Sequence, residues 1–325
     1  TPVVSSAASD VYKRQPNADS NWKVSGNNTI LTSSNEVEFE WNNSTGQKFV
    51  TTIGLDEDYL FDITQRVENN SGEEIVINNA SKVTRKQAPT LSGMFILHEG
   101  LLGVLQEKLE LIDYDDLKDD NETLNFESDN GWVGITDKYW LAALVPDQDK
   151  SFKAIYTYDN GYIAYYRSLN ATKVMPGSDH IVESQIFIGA KEAKLIDRYQ
   201  EEYGIYNFDL AIDWGWFYFL TKPLFNVIYF FSQLSGNFGL AIIILTVITR
   251  VVFFPLANWS FISMAKMKML QPEMTRIKEL HKDDKAQQQQ ALMALYKKEK
   301  VNPISGCLPI LIQIPFFFAI YKMLF

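Results

Sequence analysis

Residues 238–257 constrain this chain more than any other segment, because FGLAIIILTVITRVVFFPLA is apolar over a length that suits a bilayer core. As a helix this segment would measure about 30 Å, at a rise of about 1.5 Å per residue. Its one charged residue is Arg250, and a guanidinium stays protonated at any ordinary pH. Burying that charge in hydrocarbon costs at least about 2.5 kcal/mol, so we predict a functional site in which Arg250 faces a hydrated cavity. The alternative is that the side chain snorkels to the interface.

Charge is divided unevenly along the 325 residues, a length that has room for about two domains. Residues 1–209 carry 18 Lys and Arg against 34 Asp and Glu, whereas residues 258–303 carry nine against five. Basic segments next to membrane spans stay in the cytoplasm. We therefore predict that residues 258–303 are cytoplasmic and that residues 20–210 lie on the outer side of the membrane. Arg250 would then lie about 18 Å below the outer end of the span.

Residues 20–210 have the pattern of a β-rich domain. Short runs that alternate apolar and polar residues, typical of strands with one wet face, occur at 36–41, 48–53, 73–79 and 182–190. The segment FKAIYTYDNGYIAYYRS predicts a tight hairpin, because Asn160 and Gly161 both tolerate a positive φ. Many short antiparallel strands separated by polar turns imply a large sandwich.

A helix is predicted at the end of this domain, over residues 191–204. Leu195, Ile196 and Tyr199 fall on one helical face, and Gly204 is a suitable C-terminal stop. We expect this helix to close the sandwich.

Two polar stretches are interpreted as lying outside the packed core. The acidic run DYDDLKDDNE at 113–122 is interpreted as a solvated loop. Residues 1–19 begin without the charged start and apolar core of a signal peptide, and they are expected to be a disordered or non-native flank.

Two further apolar segments surround the predicted span. Residues 211–237 are rich in Trp, Tyr and Phe but are interrupted by Lys222, Pro223 and Asn226, which predicts an amphipathic helix lying at the membrane interface. Residues 304–325 predict a second transmembrane helix, which is still running where the sequence stops.

The basic segment 258–303 predicts a cytoplasmic helical hairpin. Amphipathic stretches at 263–280 and 286–300 flank a short polar turn, and Pro272 indicates a kink or a break at Gln271. The methionines of this segment form a soft surface that either packs the two helices together or contacts apolar clients and partners: Met264, Met267, Met269 and Met274.

Polar residues inside the two predicted spans indicate a groove. Thr246 lies four residues before Arg250 and shares its helical face. Gln313 lies between Pro309 and Pro315, each of which is expected to free a backbone carbonyl and kink the helix near the groove. We predict that these residues line a hydrophilic groove. The alternative for Gln313 is an interhelical hydrogen bond.

Residues that bind metals or form disulfides are scarce in the sequence. Cys307 is the one cysteine, and the histidines His98, His180 and His281 are dispersed. An internal disulfide and a cysteine-based zinc site are therefore excluded, and neither a metal site nor a cofactor is predicted.

Several ordered motifs between Asp213 and Phe325 resemble bacterial members of the YidC/Oxa/Alb family of membrane protein insertases. In order they are PLFN, GNFGLAIIILTVITRVVFFPL, SMAKMKMLQPEM, ALYKKEKVNP and NPISGCLPILIQIPFFFAIYKML. The β-rich part is similar to the family's extracytoplasmic domain, chiefly through GWVGITDKYWLAALVP at 131–146. The resemblance implies an all-β supersandwich, similar to sugar-mutarotase folds, followed by an α-helical membrane region with a cytoplasmic hairpin.

The resemblance also implies a function, that of a cofactor-free insertase and chaperone in the bacterial inner membrane that is not an enzyme. Arg250 matches the family's groove arginine, and Thr246, Gln313 and Phe317 match other groove-lining positions. The hairpin at 258–303 matches the loop that contacts ribosome and signal recognition targeting factors. Nascent membrane proteins, the lipid bilayer and the Sec translocon including SecF are the expected partners, with no sequence-specific nucleic acid among them.

The family pattern includes helices beyond those predicted here. It has a transmembrane anchor before the β-domain and further spans after the position of Phe325. The sequence is therefore expected to be a fragment of a multi-pass protein, and part of the groove wall is expected to come from helices outside it.

Two other classes of function stay open on the sequence alone. The aromatic, acidic β-domain fits a membrane-tethered carbohydrate-binding or sugar-modifying protein, although His98 and His180 belong to no recognisable catalytic motif. An arginine within a membrane span also fits a channel or transporter.

Overall fold

The protein is described by a computed structural model that covers residues 15–17, 20–26, 28–89, 97–119, 122–215, 217–282, 284–299 and 308–324. The chain divides into two compact units, one ending at Asp213 and the other beginning at Trp214. Most of the flank predicted over residues 1–19 lies outside the described residues.

The first unit consists mainly of β-strands. Besides two short α-helices, α1 (Tyr114–Asp119) and α2 (Ala193–Glu202), and a 3-10 helix (Phe208–Ala211), it contains β1 (Lys23–Ser25), β2 (Val37–Asn42), β3 (Gln47–Leu55), β4 (Leu60–Asn69), β5 (Ile75–Ile77), β6 (Ala80–Arg85), β7 (Gly100–Leu105), β8 (Lys108–Asp113), β9 (Leu124–Ser128), β10 (Trp132–Thr136), β11 (Trp140–Val145), β12 (Phe152–Tyr158), β13 (Tyr162–Ser168), β14 (Thr172–Val174) and β15 (Asp179–Ala190).

These strands form two main antiparallel sheets and a small ribbon. The large sheet has the order β1-β2-β3-β4-β15-β11-β10-β7-β8, the small sheet has the order β6-β13-β12-β9, and β14 pairs with β5. The predicted strand runs at 36–41, 48–53, 73–79 and 182–190 coincide with β2, β3, β5 and β15.

The core of the sandwich lies between the two sheets. Along β12, Phe152, Ala154 and Tyr156 are buried while the residues between them are half-buried, which is the period-two pattern expected of a one-sided strand. Their side chains pack with the inner faces of β13 and the large sheet, which contribute Ala164, Tyr166, Ile63, Leu144 and Ile186 among others. The prediction of an all-β sandwich is confirmed.

The other face of the large sheet is also covered, by α2 and the 3-10 helix. Phe208 lies edge-on to Trp132 and Phe187, with ring centroids 5.4 and 5.9 Å apart. Ile196 and Tyr199 of α2 are buried in the same cluster, as the predicted closing helix requires. Because both faces are covered, every residue of β10 is buried and its sequence lacks alternation.

The acidic run at 113–122 departs from the prediction of a solvated loop. Six of its residues form α1, in which Tyr114 and Leu117 are each 1% exposed and join the core. The loop prediction is wrong. The exposed carboxylates dominate the sequence of this segment, but the two buried apolar side chains fix it as a helix.

The hairpin between β12 and β13 is confirmed, but its two turn residues act differently. Asn160 adopts a left-handed conformation with φ 49, whereas Gly161 does not adopt a positive φ. A Cβ at Gly161 would lie 3.0 Å from the carbonyl oxygen of Arg85. Glycine is therefore required there by close packing of backbone against backbone.

The second unit is helical within its described residues. It contains α3 (Tyr218–Ser235), α4 (Phe238–Met269), α5 (Gln271–Leu280), α6 (Lys285–Lys298) and α7 (Leu308–Leu324). Gly236, with φ 64, ends α3, and the side chain of Asn237 caps α4 by accepting a hydrogen bond from the backbone N–H of Leu240.

Three of these helices share an apolar core. Leu224 and Ile228 of α3 pack with Ala241 and Leu245 of α4 and with Ala319 of α7. Among the described residues, α4 is the helix that is long and apolar enough to cross a membrane, while α7 is a shorter apolar helix.

The helix bounds in the second unit correct the predicted ones. α4 continues past Ala257, where the predicted span ends, and stops at Met269. The predicted break at Gln271 is confirmed, because α5 begins there with Pro272 in its first turn. The stretch 263–280 is therefore divided between α4 and α5, and the hairpin consists of α5 and α6.

The hairpin of α5 and α6 is held by a few polar contacts. Asp284 caps α6 by accepting hydrogen bonds from the N–H groups of Ala286 and Gln287, both at 3.0 Å. The Gln288 side chain donates to the carbonyl oxygen of Lys278 at 3.0 Å. The hairpin is therefore joined by hydrogen bonds as well as by packing.

Replacing Phe208 with Ala should lower the free energy of unfolding of the β-unit by about 3 to 5 kcal/mol, because it opens a cavity against two buried rings. Urea unfolding followed by near-ultraviolet circular dichroism measures this change. Tyr139→Ala is the control, since Tyr139 is 58% exposed and its loss should cost less than about 0.5 kcal/mol. Equal effects of both substitutions would show that the 3-10 helix does not close the sheet.

Candidate functional site

The polar face of α4 lies away from the core of the helical unit. Arg250 follows Ala241 by nine residues, about two and a half turns, so the two side chains point to opposite sides of the helix. Ala241 is fully buried, whereas Arg250 and Thr246 are exposed. Thr246 and Arg250, which were predicted to share a helical face, are thus both exposed in the structure.

Among the described residues, none compensates the charge of Arg250. The remaining charged residues of α4, Lys266 and Lys268, are also basic and lie at its C-terminal end. Within the part of the chain that the structure describes, no carboxylate forms an ion pair with Arg250. The Thr246 hydroxyl donates to the carbonyl oxygen of Ile242 at 2.8 Å, so it offers its acceptor side to a ligand or water.

Gln313 and Phe317, the groove residues predicted on the second span, lie on α7. They are spaced i, i+4, with Gln313 half-buried and Phe317 58% exposed. The described residues show no hydrogen bond from the Gln313 amide to another helix, so the predicted alternative of an interhelical bond has no partner here.

The two prolines of α7 occupy different positions. Pro315 lies inside the helix, where it leaves the carbonyl of Leu311 without its helical donor. Pro309 is the second described residue of α7, and the residue four positions before it lies outside the described residues. Pro315 therefore has the position that the predicted kink requires, while the kink predicted at Pro309 stays a prediction.

Among the described residues, one aromatic contact joins α4 to α7 near these polar residues. The rings of Phe253 and Phe316 lie 5.5 Å apart at an interplanar angle of 78°. Each ring follows its polar neighbour, Arg250 or Gln313, by three residues. Arg250 and Gln313 therefore each lie within about one helical turn of the contact between the two rings. The described residues give no direct contact between Arg250 and Gln313.

Pro255 of α4 is a further residue of this region that the sequence analysis did not single out. It lies inside the helix and leaves the carbonyl of Val251, the residue after Arg250, without its helical donor. The signal was present in the sequence, since a proline inside an apolar span needs protein or water to satisfy the freed carbonyl.

The methionines predicted for the hairpin lie mostly on α4. Met264, Met267 and Met269 belong to its last two turns, and Met264 and Met269 are 44% and 79% exposed. Met274 is on α5, where its sulfur accepts a hydrogen bond from the Tyr296 hydroxyl of α6 at 3.8 Å. Packing of the hairpin therefore uses Met274, while the α4 methionines present an uncovered soft surface.

Among the described residues no group of three or more His, Cys, Asp or Glu side chains converges as a metal site would require.

The described residues combine a β-sandwich with one helix that is long and apolar enough to cross a membrane, as in membrane proteins with a large folded domain outside the bilayer. Comparison with known families identifies the chain further. The model of the YidC periplasmic domain matches residues 4–227, and the model of the 60Kd inner membrane protein matches residues 230–325. The chain belongs to the YidC family of inner membrane proteins.

Curated relatives agree with this assignment. The membrane protein insertase YidC of Pelagibacter ubique is 49% identical over 310 residues, which cover 95% of this chain and 55% of the relative. That of Rickettsia africae is 45% identical over 316 residues, covering 95% and 56%. The chain spans about half the length of the curated relatives it matches. A solved YidC insertase is 22% identical at a TM-score of 0.34, covering 94% of this chain and 62% of that one.

The contact between Phe253 and Phe316 should couple α4 to α7 by about 0.5 to 1.5 kcal/mol. A double-mutant cycle with Phe253→Ala and Phe316→Ala, read by denaturation in detergent, measures the coupling energy. Phe254 and Phe318, which are 66% and 57% exposed, give the matched control pair and should show no coupling. Coupling of equal size in both cycles would contradict the contact.

Proposed function

We propose that this chain acts as a membrane protein insertase and chaperone, working alone or with the Sec translocon to place nascent proteins in the bacterial inner membrane. The observation that carries the proposal is Arg250, an exposed cation without an ion pair among the described residues, on a helix that is otherwise apolar enough to span a bilayer. Relatives named as insertases support the same function.

The proposed groove is lined by Arg250, Thr246, Gln313 and Phe317. Water in the groove would solvate the guanidinium and the carbonyl groups that Pro255 and Pro315 free. A wet groove that enters the inner leaflet shortens the distance over which a polar segment must leave water. The site therefore lowers a barrier to crossing without making or breaking a bond.

The positive charge gives the groove a preference for its clients. At separations of several ångströms and the intermediate dielectric of a wet protein surface, Arg250 attracts an acidic tail with an energy of about 1 to 2 kcal/mol. The apolar segment of the client then leaves the groove sideways into lipid. The exposed aromatic ring of Phe317 offers it a contact on the way.

The topology that fits this mechanism is a periplasmic β-unit over residues 20–210, an interfacial segment over 211–237, a span over 238–257, a cytoplasmic segment over 258–303 and a second span from 304. The basic residues of α5 and α6 suit contact with ribosome and targeting factors. Met264 and Met269 suit contact with apolar client segments before they enter the membrane. We place the contact with SecF on the β-unit.

Replacing Arg250 with Ala should reduce insertion of a client with an acidic translocated tail by roughly five- to thirtyfold, the equivalent of about 1 to 2 kcal/mol. The measurement is protease protection of the tail in proteoliposomes. A client in which the tail carboxylates are changed to amides should lose much less, because it lacks the attraction.

Arg167→Ala is the control for this variant, since it removes the same charge from β13 of the β-unit, outside the proposed groove and the hairpin, and should leave both clients inserted as before. Unchanged insertion of the acidic client by a folded Arg250→Ala protein would refute attraction by the groove charge. Ion flux through the same liposomes would instead favour a channel.

Water in the groove should be detectable beside Arg250 without removing the charge. In a background of Cys307→Ser, Thr246→Cys should react with a water-soluble maleimide at least about tenfold faster than Val247→Cys, because a thiolate forms readily only in water. Val247 is the matched control, one residue along and 57% exposed on the apolar side of the helix. Adding Arg250→Ala should slow the reaction at position 246. Equal, slow labelling at both positions would show that the face is dry.

A further inference from the structure

The β-unit contains a cleft that the insertase function does not use. Its volume is about 340 Å³, within the range of sites for small molecules. One wall is the inner face of the large sheet along β3, β4 and β15, and the other is formed by the small sheet and the ribbon of β5 and β14.

The floor of the cleft is apolar and partly aromatic. Phe49, Val67 and Ile77 are buried there as one cluster, and the half-buried Trp22 packs against it. Flat aromatic and aliphatic surfaces of this kind suit a ligand with an apolar ring face.

The charged residues around the cleft do not favour an ionic ligand. Arg66 pairs with Glu68 at 3.3 Å, and Lys150 pairs with Asp147 at 2.8 Å. Burial lowers the pKa of His180 below its ordinary value, with the Lys150 ammonium acting in the same direction, so the imidazole is neutral at pH 7. Neither paired cation is available to recognise an anion.

Two polar side chains of the cleft, Gln65 and Asn79, form a matched donor and acceptor. The Asn79 side chain donates to the Gln65 side-chain oxygen at 2.5 Å. Within the described residues, the Gln65 amide nitrogen and the Asn79 side-chain oxygen have no partner of their own. Exchanging oxygen and nitrogen in both amides again leaves one donor and one acceptor, so the conclusion does not depend on their assignment.

We propose that this cleft binds a neutral saccharide, with a ring face on the floor formed by Trp22, Phe49 and Ile77 and with hydroxyl groups bonded to Gln65 and Asn79. A sugar hydroxyl both donates and accepts, and it therefore satisfies the amide pair. This site is independent of the proposed groove, and its failure would leave the insertase function untouched.

An extended peptide fits the cleft less well. Peptides that bind sheets usually add a strand to an unpaired edge. The strands of the large sheet that line the cleft, β3, β4 and β15, are hydrogen-bonded to neighbours on both sides. On this wall of the cleft a ligand is therefore recognised by side chains, as the amide pair and the aromatic floor allow.

The test is calorimetric titration of the protein in phospholipid nanodiscs, which avoids detergents with sugar headgroups. The probes are glucose, galactose, N-acetylglucosamine and maltose, and we expect at least one to bind with a Kd of about 1 mM or tighter. Gln65→Met, which keeps the volume and removes the amide, should weaken that binding by at least about fivefold, and Asn79→Leu should act in the same direction.

Gln185→Met is the matched control, because Gln185 lies on β15 outside the cleft lining and its loss should leave sugar binding within about twofold. Thermal unfolding of each variant identifies any that fails to fold, and the other amide variant then carries the test. The proposal is overturned if no sugar of the panel binds, if both glutamine variants behave alike, or if an uncharged capped peptide binds in place of the sugars.

Discussion

The helical unit depends on one constraint, which is that a charge or an unbonded carbonyl in hydrocarbon must find water or a protein partner. Arg250 needs solvation for its charge, and Pro255 exposes a backbone carbonyl one residue further along the same helix. Pro315 does the same in α7 beside Gln313. Alanines at 241 and 319 allow α3, α4 and α7 to pack closely on the other side. We therefore expect the charge and the freed carbonyl groups to lie on the faces that this packing leaves exposed, where the same water molecules can solvate them.

The β-unit is governed by the opposite demand, that of covering apolar surface on both sides of one sheet. The inner face packs on the small sheet, and the outer face is sealed by α2 and the 3-10 helix through Phe208 and Tyr199. This second layer buries the outer face of the sheet. The cleft on the inner side keeps an aromatic floor and polar side chains, which is why we expect ligand recognition there.

The sequence could predict features that depend on local patterns. The strand runs, the hairpin at Asn160, the closing helix and the break at Gln271 follow from periodicity and turn chemistry, and the structure contains each of them. It could not predict features that depend on tertiary burial. Tyr114 and Leu117 anchor a helix inside an acidic run, and the cleft gathers residues from several distant strands.

The length of α4 has a consequence for how the candidate site works. Because the helix continues to Met269, Arg250 and Met264 are parts of one element and lie about four turns, or roughly 21 Å, apart on nearly the same face. A client that contacts the methionines through its apolar segment therefore meets the charge at a fixed distance. A flexible loop after Ala257 would have left that distance undefined. If the chain acts as proposed, this spacing would favour a client whose acidic tail and apolar segment are separated by a comparable length, which would give the site selectivity beyond charge alone.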